Sequence, residues 1–276
     1  MPPFPRNTVN TASGRCPDVP IWWDEPADAF TNMAADEILA AEADRRGGLV
    51  VRLYGWSPTS VSLGAFQEIA AARGLEAIAG VPLVRRPSGG GALVHGTDLT
   101  YAAAVPRGHP WGQSAQAFYD AFHAALVAEL RGRGVAARQH HASGAAAVSA
   151  DPLLCFDRRA EGDVVVARPG AAAAADDPKI MGSAQRRLAG VILQHGSLLL
   201  RANAAVGPAA RHVGLLDLHP AADLEESRLV AAWLGRVVSA CGAVAVRQAT
   251  GFRVGRGPEI AAHAARFQDA GWIARR

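Results

Sequence analysis

Apolar residues recur every third or fourth position through TNMAADEILAAEADRRGG, residues 31–48, a spacing that predicts a helix with one apolar face. Thr31 and Asn32 are its candidate N-caps, and Gly47 and Gly48 its stop. The same period runs through SAQAFYDAFHAALVAELRGRG, 114–134, with Ser114 as cap, and through two closing segments at 223–240 and 258–269. A shorter helix fits EIAAARGLEAIA, 68–79.

Elsewhere the pattern shortens to strand-like runs. LVVRLYGW (49–56) and TSVSLGAF (59–66), separated by the turn-like Ser57-Pro58, predict paired strands. VPLVRR, ALVH and LTYAAAV supply three more between 81 and 105; LLCF, DVVVA, KIMGSAQRR and GVILQHGSLLL supply four between 153 and 200. The Ala-rich RPGAAAAADDP, 168–178, reads as a long hairpin loop or a local insertion. Strands in two hairpin-like groups, with helices between and after them, predict an α+β fold over an alternating parallel one.

Half of the 276 residues are hydrophobic, and the chain is long enough for one sizeable core. Its longest apolar runs end well short of the roughly 18–20 residues that span a bilayer, so no membrane segment is expected. Residues 1–20, MPPFPRNTVNTASGRCPDVP, lack the apolar centre of a secretory signal and read as a loose tail before a single domain over 21–276. Cys16, Cys155 and Cys241 have neither the even count nor the close spacing of a disulfide framework or zinc motif, which fits a reducing cytoplasm and predicts no metal. A formal charge of +3 with dispersed arginines makes an acidic protein partner at least as good a match as nucleic acid, for which no binding is expected.

Lysine and arginine together number 28, yet Lys179 is the only lysine. A solvated surface cation is the ordinary reading of a lysine, but a chain so biased towards arginine would carry arginine where only charge mattered. A compact ammonium is required where a point charge must reach a carbonyl oxygen or where a pKa must shift. Cys155, in PLLCFDRR, is either a small buried hydrophobe or a nucleophile whose thiolate a nearby cation such as Lys179 stabilises. The PSGGG loop is either a plain tight turn or a cradle of backbone N–H groups for an anionic or carbonyl group, with Arg85 and Arg86 as anion partners. His95 and His195, each followed by glycine, are core or edge histidines or pocket walls; His140-His141 reads as surface loop.

The stretches FTNMAADEILA, WSPTSVSLGAFQ, GVPLVRRPSGGGALVHGTDLTYAAAVP, CFDRR followed by GDVVV, KIMGSAQRRLAGVILQHGSLLL and ARFQDAGWIARR resemble, in order and spacing, the lipoate–protein ligase and octanoyltransferase family within the biotin/lipoate ligase superfamily. The resemblance covers about residues 20–276 and implies a mixed, largely antiparallel central sheet flanked by helices. The cysteine in CF and the KIMGSAQRR motif are similar to the cysteine-dependent octanoyltransferases. Through the resemblance, Cys155 is implied as nucleophile and Lys179 as its partner. Arg86, Ser88, Gly89, Gly90, Gly91 and His95 would form a glycine-rich wall. Gly182, Ser183, Ala184, Gln185, His195 and Gly196 would form the facing one, with Gly182 to Ala184 expected as a turn. Asp98 receives no role, because relatives often place aspartate directly after the histidine.

The implied activity is octanoyl transfer from acyl carrier protein, through a Cys155 thioester, to a lysine of a lipoyl domain or glycine-cleavage H protein, with no cofactor required; the location expected from the cysteines is cytoplasmic, and a monomer is the default expectation. Two alternatives stay open. One is an ATP-dependent lipoate–protein ligase, using ATP and Mg, in which Cys155 only packs; the other is a non-catalytic protein that binds acyl groups or lipoyl domains.

Overall fold

The apolar run from 179 to 200 doubles back on itself. In the computed structural model, which describes residues 18–141, 152–243, 246–249 and 251–275, Leu188 pairs with Val191 across a two-residue turn. Ala189 and Gly190 both take positive φ there, 34° and 93°, the backbone twist that tight hairpins favour.

In chain order the strands are β1 (Val19–Trp23), β2 (Val50–Tyr54), β3 (Ser60–Leu63), β4 (Leu83–Arg85), β5 (Leu93–His95), β6 (Asp98–Pro106), β7 (Ala137–Gln139), β8 (Val164–Val166), β9 (Lys179–Leu188), β10 (Val191–Leu199) and β11 (Val246–Ala249). The helices are α1 (Ala29–Arg46), α2 (Ile69–Arg73), α3 (Pro110–Gln113), α4 (Ala115–Gly132), α5 (Leu215–Leu218), α6 (Glu226–Ala240), α7 (Gly257–Gln268) and α8 (Ala270–Ala274). Eight strands form one sheet in the order β11-β1-β2-β6-β10-β9-β8-β7, and β4-β3-β5 form a second. Among the described residues only the β1 pairings with β2 and β11 are parallel in the large sheet, so the expected mixed, largely antiparallel architecture is what the chain adopts.

Strand alternation sorts the large sheet into two faces. Tyr101, Ala103, Val105, Ile192 and Leu198 lie in one apolar cluster with residues of α4 and α6. Ala102, Ala104, Val191 and Leu193 lie in another with residues of α1 and α7. The small sheet packs through Val61, Leu63, Ala92 and Leu154. The catalytic candidates lie where this small sheet meets the second face.

The differences from the sequence reading have local causes. Asp28, not Thr31 or Asn32, caps α1, because its carboxylate accepts from the N–H groups of Phe30 and Thr31, both at 3.0 Å. The Asn32 side chain is instead buried and donates to the carbonyls of Ala27 and Gly55. β2 and β3 are not paired; each joins a different sheet. LLCF is not a strand: Leu154 makes one isolated bridge to Ala92, and Cys155–Asp157 forms a 3-10 turn. β1 starts at Val19, inside the segment expected as tail. Residues 1–17, with Cys16, lie outside the described residues. Among the described residues no helix is long and apolar enough to cross a membrane.

Candidate active site

Lys179 opens β9 opposite Val165 at a register shift, and its side chain folds back over Gly182. A Cβ on Gly182 would stand 2.6 Å from Lys179 Cε and 2.7 Å from Nζ, so only glycine leaves room for this course. The ammonium is buried and donates in three directions: to Asp163 Oδ2 at 2.8 Å, to the Cys155 carbonyl at 3.2 Å and to Cys155 Sγ at 3.3 Å. Burial opposes its charge, but the Cys155 sulfur and the Asp163 carboxylate outweigh burial and hold the lysine pKa above its usual value. Lys179 is thus an ammonium at neutral pH. Asp163 is itself fixed by the N–H of Ala160 at 2.6 Å and the Tyr119 hydroxyl at 3.1 Å.

Cys155 is half-buried, and the small sheet sets its position. Its N–H donates to the Ala92 carbonyl at 2.8 Å, while Ala92 donates to Leu153, also at 2.8 Å. Gly91 lies against this segment; a Cβ there would come within 2.9 Å of Cys155 Cα and N. Gln67 ties the other side, accepting from the Gly64 N–H and donating to the Leu153 carbonyl.

Arg86 is spent on the glycine loop. Its Nη2 donates to the carbonyls of Gly89 and Gly91, both at 2.7 Å, and Nη1 to the Ser62 carbonyl and hydroxyl. Burial lowers its pKa to about 10. Arg85 is likewise turned inward, to the carbonyls of Ile273 and Gly64. The expectation that both arginines stand ready for an anion is therefore corrected: most of their guanidinium N–H groups hold backbone, while Arg85 Nη2 and Arg86 Nε are buried without a hydrogen-bond partner among the described residues.

A cleft of about 430 Å³, mouth included, runs from Cys155 to Met33, Tyr54, Trp56 and Leu93. Of the residues expected on its walls, Arg86, Gly90, His95, Gly182, Ser183, Ala184, His195 and Gly196 do line it. Ser88, Gly89 and Gly91 belong to the same loop but are not on its surface. Gly182, Ser183 and Ala184 form no turn, lying within β9 opposite Ser197, Gly196 and His195. Gln185 faces away, donating to the Ala115 carbonyl and to Gln194, each at 2.7 Å.

Two histidines are braced by carboxylates. His95 Nδ1 meets Asp98 Oδ2 at 2.9 Å, its Nε2 meets Ser62 Oγ at 2.8 Å, and its ring stacks on Trp56 at 3.9 Å. Asp98 also accepts from Ser197 at 2.7 Å, Thr100 at 2.8 Å and the Gly96 N–H at 3.0 Å. Burial opposes its charge, but His95 and these donors together bring its pKa to about 2. His195 Nδ1 meets Asp36 Oδ2 at 3.1 Å, and its Nε2 contacts Ser88 Oγ. Arg52 Nη1 at 3.0 Å and the Tyr54 hydroxyl at 2.8 Å hold Asp36 in turn.

A third histidine fixes proton directions behind the cleft. Burial lowers the His123 pKa to about 3, so its ring is neutral. Its Nδ1 faces the Gly162 carbonyl at 2.8 Å and must carry the proton, which leaves Nε2 to accept from Ser183 Oγ at 2.8 Å. The Tyr101 hydroxyl then donates to Ser183 at 2.7 Å and itself accepts from Gln194 at 2.6 Å. Ser183 can only accept from anything bound in the cleft.

Asp163, Asp36, His123, Tyr119 and Gln67 were missed in the sequence. Asp163 could have been noticed at the start of DVVVA, since a strand paired with β9 has few other reasons to open on a carboxylate; the others carry no local signal.

Residues 28–214 match the family described as the lipoyl protein ligase A/B catalytic domain. Among curated relatives, Octanoyltransferase LipM of Kyrpidia tusciae is 36% identical over 180 residues, 62% of each chain. LipM of Bacillus subtilis is 34% identical over 179 residues, 61% of this chain and 60% of that one. The match thus spans less than two thirds of these relatives' length. The solved structure of Thermoplasma acidophilum Ta0514 with bound lipoic acid superposes with a TM-score of 0.66 at 20% identity, covering 93% of this chain and 99% of that one. Lipoate-protein ligase A bound with ATP gives 0.63 at 20% identity, covering 93% and 98%. The superpositions show a shared fold, and the match over 28–214 takes in both sheets' central strands, Cys155 and Lys179: the chain belongs to the lipoyl protein ligase A/B catalytic-domain family.

Proposed function

We propose that this protein is an acyltransferase that moves an octanoyl group from the thioester of an acyl carrier protein to Cys155, and from there to a lysine of a lipoyl domain or glycine-cleavage H protein. The observation that carries the reading is Cys155 Sγ at 3.3 Å from the buried Lys179 ammonium, on the wall of a largely apolar cleft. The similarity to proteins named octanoyltransferase supports the choice of acyl group.

In the first half-reaction the Cys155 thiolate attacks the donor carbonyl carbon, a new C–S bond forms, and the carrier's thiolate leaves with the electron pair of the broken one. The positive charge of Lys179 favours the attacking thiolate. As Sγ bonds to the carbonyl carbon and loses its charge, the N–H that pointed at it turns to the developing oxyanion, while Asp163 and the Cys155 carbonyl retain the other two. One thioester replaces another, so the exchange is nearly balanced and needs no ATP. Amide formation on the acceptor lysine then drives the cycle.

Intact-protein mass after mixing with octanoyl-carrier protein, without ATP, tests the reading. The wild type is expected to gain one octanoyl group, discharged by an apo lipoyl domain, and Cys155→Ala to gain none. No adduct on the wild type, with attachment of free acid when ATP is supplied, would overturn it in favour of a ligase.

A further inference from the structure

Most surface arginines of this chain are paired off: Arg45, Arg228 and Arg236, for example, each meet a carboxylate. One group is gathered instead. Arg186, exposed on β9, has no side-chain hydrogen bond or ion pair among the described residues. By strand alternation it shares a face with Ala184, on the cleft wall, and with Leu188, which packs with Trp272 against the cluster of α1 and α7. Arg275 and Arg266, both exposed, lie over that Trp272 ring, their guanidinium carbons 3.0 and 4.3 Å from its centroid. Glu37 pairs with Arg266, and Asp269 is committed to capping α8, where it accepts from the Trp272 N–H at 2.8 Å. Desolvation, then the charges of Arg266, Arg85 and Arg186, lower the Arg275 pKa against the pull of Glu37. The guanidinium groups thus share one field, and the carboxylates beside them do not cancel it.

Arg85 ties this group to the cleft. Its carbonyl accepts from Trp272 Nε1 at 2.9 Å and its Nε donates to the Ile273 carbonyl at 2.8 Å, so α8 is fixed on β4. On the other side its Nη1 donates to the carbonyls of Gly64 and Ala65, at 2.7 and 3.3 Å. The next residue, Phe66, is 75% exposed, and its ring lies 3.8 Å from where a Gly89 Cβ would stand. Gly90 lines the cleft, and Gln67 anchors the Phe66 loop to Leu153, two residues before Cys155. An exposed aromatic ring beside unpaired cations supplies the apolar anchor and the charged rim of a protein-binding surface.

Resting on the proposed acyl-Cys155 route, we infer that Phe66, Arg186, Arg266 and Arg275 form the surface on which an acidic acyl carrier protein docks to deliver its octanoyl group. Charge complementarity selects an acidic partner. Reach selects the donor over the acceptor. The donor carries its thioester on a long arm joined through a phosphodiester, so it can sit beside the cleft while the arm enters. The acceptor has only a lysine side chain with which to reach the thioester, so its domain has to sit over the opening itself.

The test compares donors. The second-order constant for gain of the octanoyl adduct is measured by mass with octanoyl-carrier protein and with octanoyl-N-acetylcysteamine, a neutral thioester without a protein. Arg275→Glu is expected to lower the constant for the carrier protein about 10-fold or more at low salt and to leave the small donor within about two-fold of wild type. The wild-type constant for the carrier protein should fall as NaCl is raised and approach that of the variant at about 1 M, where the screening length is about 3 Å. Phe66→Ala, at an exposed position, should lower the carrier constant without changing its salt dependence, and it keeps the proposal falsifiable if the first variant misfolds. A carrier constant unchanged in both variants, or both donors slowed alike, would overturn the inference. A loss as large with octanoyl-coenzyme A would assign Arg275 to the phosphates of the arm, and a loss confined to discharge onto an apo lipoyl domain would assign the surface to the acceptor; either also overturns it. Fluorescence anisotropy of octanoyl-carrier protein with Cys155→Ala reads docking apart from chemistry. A Kd weakened by adding Arg275→Glu supports the surface even where the wild type forms no adduct, a result that would overturn the acyl-enzyme route alone.

Discussion

At the scale of single residues, the site turns on how little room surrounds one ammonium. Lys179→Arg keeps the charge but places a planar fork where three acceptors converge on a point, so adduct formation is expected to fall about 100-fold or more, read as the rate of mass gain. Full activity in that variant would remove the lysine's special role. Gly182→Ala leaves Lys179 intact and intrudes on its Cε and Nζ. It is expected to slow acylation by displacing the ammonium from Sγ, with the circular dichroism spectrum unchanged. Cys155 and Lys179 were both legible in the chain because each is chemically conspicuous there. Asp163 was passed over: its place at the head of DVVVA is a weak cue, and among 25 acidic residues spread along the chain it stands out only once the strand pairing brings it to the lysine.

At the scale of elements, periodicity carried most of the reading. α1, α4, α6 and α7, and the long strands β6, β9 and β10, have enough alternating positions to declare themselves. β1, β7 and β11 have five residues or fewer and draw their stability from neighbours distant in sequence, so the local pattern does not mark them. LLCF misled for the same reason, since an apolar run reads alike whether it makes a ladder or a single bridge before a 3-10 turn. The α4–α6 layer depends on one aromatic packing unit. Trp233 is fully buried, meets Tyr101 edge-on at 5.4 Å and donates to the Phe122 carbonyl at 2.8 Å. Trp233→Ala is expected to cost about 3–5 kcal/mol in urea unfolding. It should also weaken the chain that orients Ser183, because Tyr101 belongs to both.

At the scale of the whole molecule, two sheets are joined by buried polar contacts whose protonation matters. Asp98 links β6 to His95 of the small sheet, and its pKa near 2 lies below the unfolded value of 3.8. A carboxylate with a depressed folded pKa stabilises above the unfolded value and loses that contribution as pH falls through the folded one. About 2 kcal/mol is therefore expected to disappear between roughly pH 4 and pH 2. Chemical unfolding followed across that range should show the loss in the wild type and a smaller one in His95→Gln. On the proposed acyl-Cys155 route the sole lysine has a last consequence. Reactive thioesters modify amines indiscriminately, yet this chain offers its own cargo no side-chain amine except one that is sealed in as an ammonium. With arginine wherever lysine could have stood, the side chains offer that thioester no competing amine, and the acyl group is left for an amine that arrives from outside.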